Sequence, residues 1–134
     1  MRGRDDSGPE VDRWSRANWW GIVLEAPDPG RLLHFYSELL DKPIYHEDDD
    51  GGSLDFGEGV AYLAVQRAET FEPPVWPAEP GRQGIQMHLD VEVSDLAASV
   101  EQAVELGATL ADFQPQDDVR VLLDPAGHPF CLYT

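Results

Sequence analysis

The sequence repeats itself at an interval of 67 residues. A shift of that length places Asp28 on Asp95 and Leu39 on Leu106. Each copy begins with an apolar stretch, continues with an acidic residue, and then carries apolar residues at helical spacing. Internal repetition of this kind indicates two copies of one supersecondary unit that share a core. The chain is therefore predicted to consist of two modules of the same topology.

Each copy has the pattern of one strand, one helix and three further strands. The apolar segment 19–26 predicts a strand. Asp28 followed by Pro29 predicts a helix start, because aspartate caps the first N–H groups and proline loses no hydrogen bond there. Ser94 or Asp95 is expected to cap the second helix. Further strands are predicted at 44–47, 53–56, 60–66, 85–93, 109–113, 119–123 and 130–134. The prediction is an α+β fold: two βαβββ modules in tandem, forming curved sheets around a shared cavity, with the helices outside.

Composition along the chain predicts where these modules begin and end. Residues 1–17 are polar and charged, and we expect a disordered tail. Residues 67–84 contain four prolines, too many for a helix or a central strand, and are predicted to form a linker. The expected organisation is one domain over 18–134, with module one at 18–66 and module two at 85–134.

The charge and the cysteine count restrict partners and location. The chain carries 26 acidic residues against nine lysines and arginines, a formal net charge of −17. Such a surface repels phosphate backbones and anionic lipids, so neither nucleic acid nor a membrane is expected as a partner. The first residues lack the apolar segment of a secretory signal. One cysteine excludes an internal disulfide and fits a reducing compartment, so we expect a cytoplasmic protein.

Three segments carry a family resemblance. Residues 21–28 read Gly-Ile-Val-Leu-Glu-Ala-Pro-Asp, residues 88–95 read His-Leu-Asp-Val-Glu-Val-Ser-Asp, and residues 124–132 read Asp-Pro-Ala-Gly-His-Pro-Phe-Cys-Leu. Together they resemble the vicinal-oxygen-chelate superfamily of glyoxalases, bleomycin-resistance proteins and extradiol dioxygenases, and they look closest to its glyoxalase-like domain branch. The resemblance covers about residues 18–134. It implies the two-module fold and a homodimer, but fold does not fix activity in such a family.

The resemblance also tests the chain for the family's metal site. Members that use a metal hold a divalent ion with one residue, usually His or Glu, from each of four strands. The matching positions here are Gly21, His88 and, where a Glu would follow the last turn, Cys131. The remaining position falls among Leu63, Ala64 and Gln66. One imidazole and one thiol are not the ligand set of a hard six-coordinate ion. We therefore expect no metal cofactor, with a weak divalent site completed by water and substrate as the alternative.

His88 and Asp90 are the strongest candidates for a functional site. They are two residues apart on a predicted strand, so their side chains face the same way. Asp90 would fix the tautomer of His88, and the imidazole would then act as a base or bind a ligand. The alternative is a hydrogen-bonded histidine that anchors the sheet.

Three further residues have both a functional and a structural interpretation. Cys131 is a nucleophile if a cation lowers its pKa, and otherwise a small buried group on a central strand. Gln66 would either bind polar groups of a ligand in the cavity or be a solvated strand end. Trp19 shares strand parity with Gly21, which suggests an apolar, aromatic-accepting pocket or simple core packing.

The sequence thus predicts a glyoxalase-like small-molecule-binding protein with an incomplete metal site. Its ligand would be an apolar or aromatic metabolite or antibiotic. One alternative is a lyase, isomerase or dioxygenase-type enzyme that uses His88 as a base or metal ligand. A second alternative is a non-catalytic scaffold domain. The predicted ligand-binding residues are Trp19, Gln66, His88, Asp90 and Cys131.

Overall fold

The computed structural model describes residues 19–57 and 61–134, so the predicted tail at 1–17 lies outside the described residues. Within these ranges the order strand, helix and three strands occurs twice. The elements are β1 (Trp20–Ala26), α1 (Pro29–Leu39), β2 (Ile44–Asp48), β3 (Gly51–Leu54), β4 (Ala61–Arg67), β5 (Leu89–Glu92), α2 (Leu96–Glu105), β6 (Thr109–Leu110), β7 (Val119–Leu123) and β8 (Pro129–Tyr133).

Each repeat forms its own four-stranded mixed sheet. The strand orders are β1-β4-β3-β2 and β5-β8-β7-β6, and in each sheet the first and last strands of the repeat pair in parallel. Ile22 pairs with Leu63 in the first sheet, and Leu89 pairs with Phe130 in the second. Both members of the second pair lie 67 residues after those of the first, so the sequence repeat is also a repeat of strand register. The predicted α+β fold with two βαβββ modules is confirmed.

The chain divides into two compact units, one ending at Arg67 and the other beginning at Ala68. Residues 68–84, all of which the structure describes, contain neither helix nor strand. This segment packs within the second unit, where the Trp76 Nε1 donates a hydrogen bond of 3.1 Å to the carbonyl of Phe113. Arg67, predicted as the first linker residue, is instead the last residue of β4.

The first helix begins after its predicted cap, Asp28, and the second after Asp95, one of its two candidate caps. Asp28 Oδ1 accepts a 3.1 Å hydrogen bond from the N–H of Arg31, and Asp95 Oδ1 accepts one of 3.0 Å from the N–H of Ala98. Of the two candidate caps of the second helix, the structure therefore uses Asp95 rather than Ser94. Each cap satisfies one of the N–H groups that the first helical turn leaves without a partner.

Each helix packs against its own sheet and buries an apolar face there. In the first unit α1 contributes Leu32, Leu33, Phe35 and Tyr36 to the core. In the second unit the buried apolar side chains include Ala103, Leu122, Phe130 and Leu132. No helix among the described residues is both long and apolar enough to cross a bilayer.

The first hairpin differs from its prediction. The predicted strands 44–47 and 53–56 place Gly51 and Gly52 in the turn between them. The chain instead turns earlier, and both glycines are strand residues, paired with Gln66 and Val65. A Cβ at Gly52 would collide with the carbonyl of His46. The glycines thus allow neighbouring strands to pack closely and do not form the turn. As a result β3 begins at Gly51, two residues before the start of the predicted strand 53–56. The structure also shortens β5 and β6 relative to their predicted ranges, 85–93 and 109–113.

Candidate functional site

The second sheet brings two of the predicted site residues side by side. Asp90 on β5 is paired with Cys131 on β8. Directly paired residues of neighbouring strands project from the same face of the sheet, and successive residues alternate between faces. Phe130 and Leu132, the neighbours of Cys131, project from the opposite face and are buried. Asp90 and Cys131 therefore share the face turned away from this buried layer.

His88, Asp90 and Cys131 form a compact group, here called the His–Asp–Cys cluster. His88 immediately precedes β5, and its Nε2 lies 3.2 Å from Asp90 Oδ1. One nitrogen, oxygen or sulfur atom from each of the three side chains lies within 4.8 Å of the other two. The side chains of His88 and Asp90 are 46% and 58% exposed, so the cluster opens to solvent. The predicted proximity of His88 and Asp90 therefore extends to a third polar side chain.

The environment of Cys131 disfavours a free thiolate. The pKa of its thiol is raised to about 11. Burial is the main cause, and the negative charge of Asp90 and the hydrogen bond that the thiol donates to this carboxylate contribute the rest. Nucleophilic cysteines have the opposite environment, with a nearby cation or helix N-terminus that lowers the pKa. In the metal-free protein Cys131 is thus a protonated donor at neutral pH.

The cluster contributes to the lining of an open pocket with a volume of about 280 Å³. Gln116, Val119 and Tyr133 complete its lining. Sequence reasoning missed these three residues. Strand parity could have identified Tyr133, which is two residues from Cys131 on β8 and is paired with Val119. Gln116 lies in the loop before β7, where no periodic pattern indicates a side-chain direction.

The described residues of the first unit contain no counterpart of the His–Asp–Cys cluster. Strand register maps the three cluster positions onto Gly21, Val23 and Ala64, none of which offers a side-chain donor atom. Gly21 is also covered by Tyr62, because a Cβ at position 21 would lie within 2.6 Å of three ring atoms. Packing therefore explains the glycine at this position, because it leaves room for the aromatic ring of Tyr62, its paired residue.

The four-strand metal site that the family resemblance implies does not fit this chain. Register selects Ala64 as the first unit's equivalent of Cys131, so two of the four positions, Gly21 and Ala64, carry no donor atom. A third position holds the thiol of Cys131 where a carboxylate would be expected. Hard divalent ions need several oxygen ligands, which these four positions do not supply.

Trp19 and Gln66 lie in the first unit. Gln66 is an exposed residue of β4, and its Nε2 donates a 3.0 Å hydrogen bond to Glu25 Oε1 on the neighbouring strand. Trp19 immediately precedes β1 and is half-buried. The predicted contact of these two side chains with a ligand stays a prediction.

Comparison with known proteins identifies the architecture. A family model described as glyoxalase-like domain matches residues 21–133. A glyoxalase/bleomycin resistance protein/dioxygenase family enzyme from Burkholderia phytofirmans has a similar structure, with a TM-score of 0.63, 18% identity, and coverage of 84% of this chain and 94% of that one. The glyoxalase family protein from Enterococcus faecalis is also similar, with a TM-score of 0.61, 20% identity, and coverage of 85% of this chain and 94% of that one.

The fosfomycin resistance protein FosX from Mesorhizobium loti is also similar, with a TM-score of 0.63, 14% identity, and coverage of 87% of this chain and 91% of that one. No curated protein matches the chain significantly. At identities of this size the likeness to solved structures concerns the fold.

Proposed function

Because the chain belongs to the glyoxalase-like domain family, we propose that it binds a small, partly aromatic organic molecule in the pocket of its second unit. The observation that carries this proposal is the mixed lining of the pocket, which combines polar and apolar side chains. His88, Asp90 and Gln116 supply hydrogen-bonding groups, whereas Val119 and the ring of Tyr133 supply apolar surface. Small-molecule sites usually combine apolar surface with a few convergent polar groups.

The charge of the pocket favours a neutral or cationic ligand. Among the described residues that line it, Asp90 is an acid and none is a lysine or arginine. The formal net charge of −17 further repels anions. A cation would be attracted both by the carboxylate and by the face of the Tyr133 ring. An anionic phosphonate such as fosfomycin is therefore expected to bind poorly, although solved proteins of similar fold include fosfomycin resistance proteins.

Thermal denaturation in the presence of a chelator tests this proposal. Aromatic amines, uncharged aromatic compounds of the same size and fosfomycin would be compared. A ligand at about 100 times its Kd stabilises the native state by roughly 2.7 kcal/mol, which raises the melting temperature by several degrees. We expect such a rise with an aromatic amine and none with fosfomycin.

Two substitutions make the test specific to the pocket. Asp90→Asn removes the charge and should weaken binding of the amine about tenfold, while Glu101→Gln, an exposed position on α2, should leave it unchanged. Equal affinity in the wild-type protein and the Asp90→Asn variant would contradict the proposal. So would a melting temperature that responds to fosfomycin but to no aromatic compound.

The contact between His88 and Asp90 favours a second candidate function. A carboxylate 3.2 Å from an imidazole nitrogen orients the ring for proton transfer. The protein would then be a lyase or isomerase acting on the bound molecule. Loss of turnover with retained ligand affinity in His88→Ala would favour this enzyme over a binding protein.

A further inference from the structure

We propose that the His–Asp–Cys cluster binds a thiophilic divalent cation, Zn²⁺ in particular, with all its protein ligands in the second unit. The donor atoms are a ring nitrogen of His88, a carboxylate oxygen of Asp90 and the sulfur of Cys131. This set differs from a site that draws one ligand from each of four strands, because it includes Asp90 and needs no residue of the first unit. The inference concerns the same pocket as the proposed ligand, but it does not depend on that ligand.

The geometry of the cluster is close to that of a bound zinc ion. Zinc lies about 2.0 Å from nitrogen and oxygen ligands and about 2.3 Å from sulfur, so tetrahedral ligands are separated by roughly 3.3–3.5 Å. The Nε2 of His88 and Oδ1 of Asp90 are already 3.2 Å apart, and the donor atoms of the whole cluster lie within 4.8 Å of one another. Contraction by little more than 1 Å is within reach of side-chain rotation.

The backbone at the cluster is held by regular sheet structure. Asp90 and Cys131 are register partners in adjacent parallel strands, and β8 is also paired on its other side with β7. His88 is joined directly to the first residue of β5. Ligands carried on rigid strands need little ordering when the ion binds, so less binding free energy is spent on conformational entropy.

The donor types determine which ions fit. Sulfur and imidazole ligands select zinc and related soft or borderline ions, whereas Mg²⁺ and Ca²⁺ require mostly oxygen ligands. Binding replaces the S–H bond of Cys131 with a sulfur–metal bond, and the proton passes to solvent. Three protein ligands leave at least one coordination position for water.

The test uses the full chain freed of metal by a chelator and then dialysed. Titration with Zn²⁺ against a chromophoric competitor should show one equivalent bound, with no binding of Mg²⁺ at the same concentration. Co²⁺ serves as a spectroscopic probe, because coordination by a thiolate gives a sulfur-to-cobalt charge-transfer band. We expect this band in the wild-type protein, which makes the result independent of whether any variant folds.

Substitutions then assign the ligands. Cys131→Ser should abolish the charge-transfer band and weaken Zn²⁺ binding about 100-fold, and Asp90→Asn should weaken it at least tenfold. The matched control is His46→Ala, because His46 is an exposed histidine of the first unit whose Nε2 lies 3.0 Å from Asp48 Oδ2. This variant should bind Zn²⁺ as the wild type does.

Two outcomes would overturn the proposal. One is a Co²⁺ complex of the wild-type protein without the thiolate band. The other is binding of several Zn²⁺ equivalents that Cys131→Ser leaves unchanged, since the ions would then be held by the acidic surface. Binding of the aromatic compounds is measured with a chelator present, so it does not depend on a bound metal ion. Failure of the zinc proposal can therefore be distinguished from failure of the proposed function.

Discussion

At the scale of single residues, Asp90 determines the chemistry of the pocket because it acts on two neighbours. It lies 3.2 Å from the Nε2 of His88, and its carboxylate accepts a hydrogen bond from the thiol of Cys131. The same negative charge therefore orients an imidazole and keeps a thiol protonated. Its effect on the cysteine can be measured directly, since the chain contains only one.

We predict that Cys131 of the metal-free protein is alkylated slowly by iodoacetamide. Only the thiolate reacts, and with a thiol pKa of about 11 the thiolate is scarce at pH 8. The rate should be roughly 200-fold below that of the urea-unfolded chain, whose cysteine has an ordinary pKa of about 8.5. Between pH 8 and pH 10 it should rise about tenfold per pH unit, because the thiolate fraction does.

Mass spectrometry of the alkylated chain measures these rates. Asp90→Asn should raise the rate at pH 8 severalfold and still leave it below that of the unfolded chain, since burial contributes most to the raised pKa. A rate that levels off between pH 9 and pH 10 would contradict the prediction, because the thiol would then titrate at an ordinary pKa.

At the scale of secondary-structure elements, local patterns could be predicted from the sequence, whereas the pairing of distant strands could not. The cap Asp28 was predicted, and the second cap was narrowed to Ser94 or Asp95, because a capping residue and its helix are neighbours in sequence. The contact between Asp90 and Cys131 was not predicted, since it depends on the register of two parallel strands about 40 residues apart. Gly52 was misassigned to a turn because the sequence does not show the backbone that packs against it.

The turn that leads into β8 offers a stability prediction. Asp124 is a buried carboxylate, and its Oδ1 accepts hydrogen bonds of 2.9, 2.9 and 3.0 Å from the N–H groups of Ala126, Gly127 and His128. Asp124→Ala removes this shared acceptor, so the three N–H groups lose their hydrogen bonds to the carboxylate. We expect the free energy of unfolding to fall by about 3 kcal/mol.

Urea denaturation measures that loss. Asp124→Asn should cost less, because the side-chain amide oxygen still accepts hydrogen bonds. The control is Asp112→Ala, which removes an exposed carboxylate of the same unit and should leave the denaturation midpoint unchanged. If Asp124→Ala and Asp112→Ala unfold at the same urea concentration, the turn does not depend on the buried carboxylate.

At the scale of the whole molecule, the two units share a topology but differ in chemistry. Equivalent strands in the same register carry the His–Asp–Cys cluster in one unit and Gly21, Val23 and Ala64 in the other. The fold therefore supplies the framework, and the proposed function depends on the residues of one sheet face. A homodimer and a cytoplasmic location stay predictions from the sequence.

The net charge of −17 leads to the final prediction, that sodium chloride stabilises the protein. Charges of one sign repel more strongly in the compact state than in the unfolded chain, and salt reduces this repulsion over a screening length of about 10 Å at 0.1 M. We expect the melting temperature to rise by roughly 5 °C between 10 mM and 0.5 M salt. Tetramethylammonium chloride should act similarly, because screening does not depend on a specific sodium site. A melting temperature that falls with salt would show instead that attractive pairs, such as Arg67 with Asp50 at 3.8 Å, outweigh the repulsion.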